Sequence, residues 1–214
     1  MSKKQKKSSK SKSKSKSKSD LESDNVYHGF NIHNPFKRKI PRKIKWRSNN
    51  YKLLSNPDLE LLPLIQQSMD KKCTNEGHIN GILGIIERSN ATIIKEGSGD
   101  FVIDCTIVID KICLQPPTGS YITAKIEQIN PKLLMAKAGP IIIIVSLETS
   151  DIDLESQQLP DNPIGTYVLL KINASAFHKN DTNINCYASF ADVEHSDTWK
   201  MVYNKIFEDN NSLN

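Results

Sequence analysis

Few residues in this chain could do covalent or metal chemistry, and their spacing argues against most of it. Histidines stand at 28, 33, 78, 178 and 195, with no pair at a metal-ligand spacing. Cysteines stand at 73, 105, 113 and 186, with no Cys-x-x-Cys. Cys105 and Cys113 fall in one run of strand character, where eight residues at about 3.3 Å each put them beyond disulfide reach. All four read as reduced packing thiols of an intracellular protein, so the glycosylation triplets at Asn90, Asn173 and Asn180 mean nothing. Asp104 and Asp110 share a strand face, where salt-bridge or solvent-facing roles outweigh acid–base work. Glu96-Gly97-Ser98-Gly99 is not followed by the Lys-Ser/Thr that would open a helix after a phosphate loop. The expectation is no catalytic residue, no metal and no cofactor.

Binding chemistry is better represented. Residues 1–52 hold 17 Lys and Arg against three acids, a net of +14; the rest hold 12 against 21, a net of −9. The overall +5 thus joins a basic arm to an acidic body. Residues 1–20, MSKKQKKSSKSKSKSKSKSD, have no apolar residue after Met1 and are expected to be disordered. Their nine lysines suit nucleic acid or another polyanion, a nuclear-import signal, or simple solubilisation. Residues 21–50 include NPFKRKIPRKIKWR, whose two prolines argue for an extended linker joining the body near Ile44.

The body divides at Gln115-Pro116-Pro117-Thr118-Gly119. Before it, Ile65, Met69 and Cys73 recur every four residues, which predicts a helix over 63–73 opened by Pro63 and ended by TNEG. A short extended piece at 51–54 precedes it, and strand-like runs follow at 77–88, 92–94 and 101–115, with a turn at 96–99. In the long run, Phe101, Ile103, Cys105, Ile107 and Ile109 oppose a mixed face of Val102, Asp104, Thr106, Val108 and Asp110. After the boundary, five strands are predicted at 119–129, 132–138, 141–146, 165–173 and 184–190, with a tight turn at Gly139-Pro140 and a polar interval at 146–163. Five strands with a long connection after the third is the plan of an OB-fold barrel. Ile141–Val145 is apolar on both faces and needs an outer cover from the preceding domain or a partner. Each unit is too small to bury much apolar surface alone, so both are expected to pack against each other and against a second protein.

No apolar run approaches the roughly 20 residues of a membrane helix, and the N-terminus lacks the apolar core of a secretory signal. Single-stranded nucleic acid on the barrel would want aromatic platforms and cations. Tyr121, Phe177 and Tyr187 are the candidates for the first, and Lys125, Lys132, Lys137 and Lys179 for the second. Residues 116–192 nevertheless hold five lysines, no arginine and eight acids, so contact with RNA there is expected to be weak.

The order of these pieces resembles the family of the seventh subunit of eukaryotic RNA polymerase II and its counterpart in the archaeal enzyme. Ile94, Gly97 and Gly99, then Pro117 and Gly119, then Gln128-Ile129-Asn130 and Gly139-Pro140 follow the family's order, and Pro63 opens the helix where the family has a proline. The match covers roughly residues 51–192. Leu133-Leu134-Met135 replaces a Gly-Leu-Phe, Glu96 stands where a proline is usual, and the arm at 1–50 has no counterpart.

The resemblance implies an α+β, truncated RNP-like (ferredoxin-like) domain over 51–116, an OB-fold domain over 117–192 and a C-terminal segment at 193–214. It implies a non-catalytic stalk subunit of a DNA-directed RNA polymerase, in a nucleus or in the cytoplasm or virion of a large DNA virus. That subunit would pair with a smaller stalk partner and wedge its tip, Thr92, Ile93, Ile94, Glu96, Gly97 and Gly99, into the polymerase core subunits, with the barrel facing nascent RNA. A free-standing OB-fold RNA-binding protein, such as a translation factor, is the alternative, and an RNA-processing enzyme a third.

Overall fold

The computed structural model describes residues 38–47, 58–90, 92–95, 100–147, 160, 162–192 and 195–208. They form a closed five-stranded barrel and a separate antiparallel sheet carrying one helix. The sequence-predicted disorder of 1–20, the extended piece at 51–54, the turn at 96–99 and most of the polar interval lie outside the described residues.

The sheet contains β1 (Arg38–Arg47), β2 (Lys72–Thr74), β3 (Gly77–Arg88), β4 (Thr92–Lys95) and β5 (Asp100–Cys113). Its order is β1-β5-β3-β2, with β4 also paired to β5. The period-2 reading of β5 holds: Phe101, Ile103, Cys105, Ile107 and Ile109 are buried, while Asp104 and Asp110 are exposed. Helix α1 (Asp58–Met69) covers the apolar face through Leu61 and Ile65, which share one core with Ile79, Ile82 and the β5 set. Gln66 Nε2 donates to the Ile82 carbonyl at 3.1 Å and ties helix to strand.

Three local expectations fail here. The segment around Ile44 is not a linker: Arg38–Arg47 pairs with β5 over ten residues, and Pro41 is tolerated because β1 is an edge strand. The sheet module therefore starts well before residue 51. Helix α1 begins at Asp58 with Pro63 inside it, because starting a turn earlier buries Leu61 completely. Pro63 there forgoes one bond to the carbonyl four residues back. TNEG does not end the helix. The chain breaks at Lys71, φ 55°, and Cys73 joins β2, so TNEG is the β2–β3 turn. Gly77 in that turn has φ 131°, and a β-carbon there would collide with the Cys113 carbonyl.

The barrel strands are β6 (Tyr121–Ile129), β7 (Leu133–Ala138), β8 (Ile141–Ser146), β9 (Tyr167–Ala176) and β10 (Ile184–Asp192), each within three residues of its predicted bounds. Their closed order is β10-β8-β7-β6-β9, antiparallel throughout except for the parallel β8–β10 pair. Third and fifth strands pairing in parallel closes an OB-fold-like barrel. Gly139, at φ 58°, makes the two-residue β7–β8 turn, a backbone that favours glycine. Ile122, Ala124, Ile126, Leu134, Ala136, Ile141, Ile143, Val168 and Leu170 fill the interior with no exposed area.

The C-terminal segment belongs to the barrel. Helix α2 (Ser196–Tyr203) and a following π-turn (Asn204–Glu208) place Tyr203 and Phe207 against the barrel core and bury Trp199 and Ile206. Tyr203 meets the Tyr167 ring edge-on at 5.1 Å.

The two modules are joined by more than the linker. Cys73 and Cys113, at the ends of β2 and β5, belong to the barrel core rather than to the sheet core. The Cys73 N–H donates to the Asp181 carbonyl at 2.7 Å, and the Asn180 N–H donates back to the Cys73 carbonyl at 2.9 Å. Gln115 Nε2 donates to the Ser175 carbonyl, and Ser175 Oγ donates to the Pro116 carbonyl.

Candidate nucleic-acid interface

Barrel geometry decides which outward side chains share a surface. In β7, Leu134, Ala136 and Ala138 point inward, leaving Leu133, Met135 and Lys137 outside; in β8, Ile142 and Ile144 are the outward pair. Pairing registers then give two parallel rows. One runs Gln128, Met135, Ile144, Tyr187, Ala174. The next runs Lys125, Lys137, Ile142, Asn185, Ala176. Helix α2 packs against β6 and β9, the strands at the two ends of these rows.

Tyr187 stands in the middle of the first row, 60% exposed, with Ile144 beside it half-buried. It has the place and the free area of a stacking platform. Lys125 and Lys137 are direct cross-strand partners in the second row. Like charges at facing positions disfavour each other, and a phosphate near both would lower that cost. Lys125 is partly compensated already, since its Nζ lies 5.8 Å over the Tyr167 ring.

The other predicted residues do not join this surface equally. Lys132 is exposed in the β6–β7 loop, where Asn130 Oδ1 accepts the N–H groups of Lys132 and Leu133 at 3.0 and 2.8 Å. Tyr121 sits at the far end of β6 opposite Lys171 of β9, away from β7 and β8. Phe177 is half-buried and packs against the barrel core. Lys179 is exposed, but in the loop that hydrogen-bonds to β2, so it belongs to the junction between modules. Of the tip residues, Thr92 is exposed at the start of β4 and Ile93 pairs with Phe101. Ile94 lies in β4; Glu96, Gly97 and Gly99 lie outside the described residues.

Spacing arguments overlooked one polar arrangement. His195 Nδ1 lies 2.9 Å from Asp192 Oδ2, and Ser196 follows directly. The Ser196 hydroxyl, however, accepts the Tyr167 N–H at 3.2 Å and anchors the start of α2. Met135 was missing as a surface neighbour of Ile142 and Ile144, whose need of an outer cover the sequence did show, because linear sequence does not give the closing register.

The four cysteines are free and buried. Among the described residues, no group of three or more His, Cys, Asp or Glu could hold a metal ion, and no helix is long and apolar enough to cross a membrane. No protein-family model matches the chain, and no curated protein matches it in sequence.

Proposed function

We propose that the chain is a non-catalytic stalk subunit of a DNA-directed RNA polymerase, built from an RNP-like docking module and an OB-fold, which docks to the core enzyme and a smaller partner and guides nascent RNA. The observation that carries this reading is the fused body: an OB-fold-like barrel hydrogen-bonded through Cys73 and Asn180–Asp181 to a helix-bearing sheet that precedes it. That is the order of modules the sequence resemblance implies. The half-buried outward pair Ile142 and Ile144 supports the docking part, since a partner would complete their burial.

A tagged full-length chain, purified from the cell that produces it and analysed by mass spectrometry, should bring down polymerase core subunits and one smaller protein in stoichiometric amounts. Recovery of a solitary monomer would overturn the assignment.

The exposed Tyr187 ring beside the Lys125–Lys137 pair favours one second reading, a free-standing OB-fold RNA-binding protein. That reading requires RNA affinity to survive removal of residues 1–37 in a stable, unassembled monomer. A stalk subunit should lose solubility when its partner is withheld.

A further inference from the structure

We propose that β1 is a phosphate-binding edge for single-stranded RNA, making the sheet module rather than the barrel the chain's principal nucleic-acid contact. Taking the strand to be RNA rests on the stalk reading; the surface itself rests on β1. Arg38–Arg47 contains six cations and no acid. It is the terminal strand of its sheet, so among the described residues its second edge pairs with no strand.

The register sorts these cations into two sets. Arg38, Ile40, Arg42, Ile44 and Trp46 lie opposite Ile109, Ile107, Cys105, Ile103 and Phe101, the β5 positions buried under α1. Lys39, Lys43, Lys45 and Arg47 lie opposite Val108, Asp104, Val102 and Asp100, on the positions α1 does not cover. Alternate positions on a strand are about 6.6–6.8 Å apart, so the register sets these four residues in one row of positions, with Pro41 between Lys39 and Lys43. Such a row follows a single phosphodiester chain, as positive tracks do in single-strand binders. Asp104 and Asp100 offset part of it, leaving two to four phosphate contacts. The barrel, at five lysines against eight acids over 116–192, has no comparable track.

Lysine and proline also blunt edge strands against aggregation. Pro41 serves that end whatever the charges do, and the two roles separate by experiment. Anisotropy of a labelled 20-nucleotide uridine RNA against salt should show the slope of log K falling by about 1.4–2.8 in full-length K39Q/K43Q/K45Q/R47Q, at roughly 0.7 per contact. K39R/K43R/K45R should keep the original slope, and deleting residues 1–37 should leave a residual slope that the glutamine set removes. In the unmodified chain, RNA should protect Lys39, Lys43 and Lys45 from acetylation, a readout that needs no variant to fold. An unchanged slope in the glutamine variant, unprotected lysines, or an equal-length duplex bound as tightly would overturn the proposal. Failure of the polymerase pull-down with these results intact would remove the stalk reading and leave the surface standing.

Discussion

Burial sets the chemistry of Cys73, Cys113 and Cys186, which cluster where the two modules meet. Desolvation, with Asp181 adding to it, pushes the Cys73 thiol up to about 11. Desolvation alone takes Cys186 to about 12, and Cys113 rises too, from burial and from the other two sulfurs. Neutral buried thiols are poor nucleophiles. Iodoacetamide at pH 8 should therefore leave all three unmodified in the native chain and label them only in denaturant; fast native labelling would mean that the junction opens readily. His78, buried with an unpartnered Nδ1, is shifted the opposite way: desolvation lowers its pKa below 6.5. The unfolded chain then binds the proton more readily than the folded one. His78 costs nothing above the unfolded value and removes stability as pH falls through 6.5 towards the folded value. The melting temperature should drop between pH 7 and 5, and His78→Gln should flatten that drop; the same drop in the variant would assign it to other groups. At the interface, Tyr187→Ala should weaken single-stranded RNA binding by about 1–3 kcal/mol if the ring stacks on a base. Phe177→Ala should instead lower stability, with RNA affinity of the folded fraction unchanged. Composition picked out both rings. Only the folded register and burial show that Tyr187 stands open on β10 while Phe177 packs on the barrel core, which is why this part of the surface was not legible beforehand.

At the scale of elements, the barrel was readable and the ends of the sheet module were not. The Gly139-Pro140 turn and the unbroken Ile141–Val145 run are local signals that agree with the final packing, and all five barrel strands emerged close to their bounds. Local signals misled for α1 and β1. Pro63 suggests a helix start, but burial of Leu61 outweighs the lost hydrogen bond. Two prolines and a run of cations suggest a linker, but Arg38–Arg47 supplies the partner that β5 needs on one edge. Removing residues 1–37 should thus leave the melting temperature within a degree or two. Removing 1–47 strips ten residues of pairing from β5 and should produce a less stable, aggregating chain, measured by calorimetry and light scattering. Equal stability of the two truncations would show that β1 adds nothing. In β8 the inward Ile141, Ile143 and Val145 have no exposed area, whereas Ile142 and Ile144 stay half-buried. Ile142→Asp with Ile144→Asp should accordingly keep the barrel's circular dichroism while abolishing recovery of the polymerase. Unchanged assembly would refute a partner on that face.

The molecule as a whole is held together at one junction. Cys73 and Cys113 come from the sheet yet sit in the barrel core, and the β9–β10 loop bonds to β2 in both directions through the backbone. The barrel then does not complete its own burial, and the sheet supplies part of what it lacks. Unfolding should follow as a single calorimetric transition rather than two. Asn180 is the residue on which to test this. Its φ of 75° is closed to proline, and its N–H is the donor to the Cys73 carbonyl. Asn180→Pro removes that bond, strains the loop and leaves a buried carbonyl unpaired, a cost of about 2 kcal/mol or more. For a chain of this size that corresponds to a loss of about 4–8 °C in Tm. If the modules depend on each other, the whole transition moves down together, and Cys73 and Cys113 become reactive to iodoacetamide at the same temperature. If instead the trace splits, with the barrel melting at its former temperature, the junction is a contact between independent domains. The small size of each unit would then have to be offset within each one.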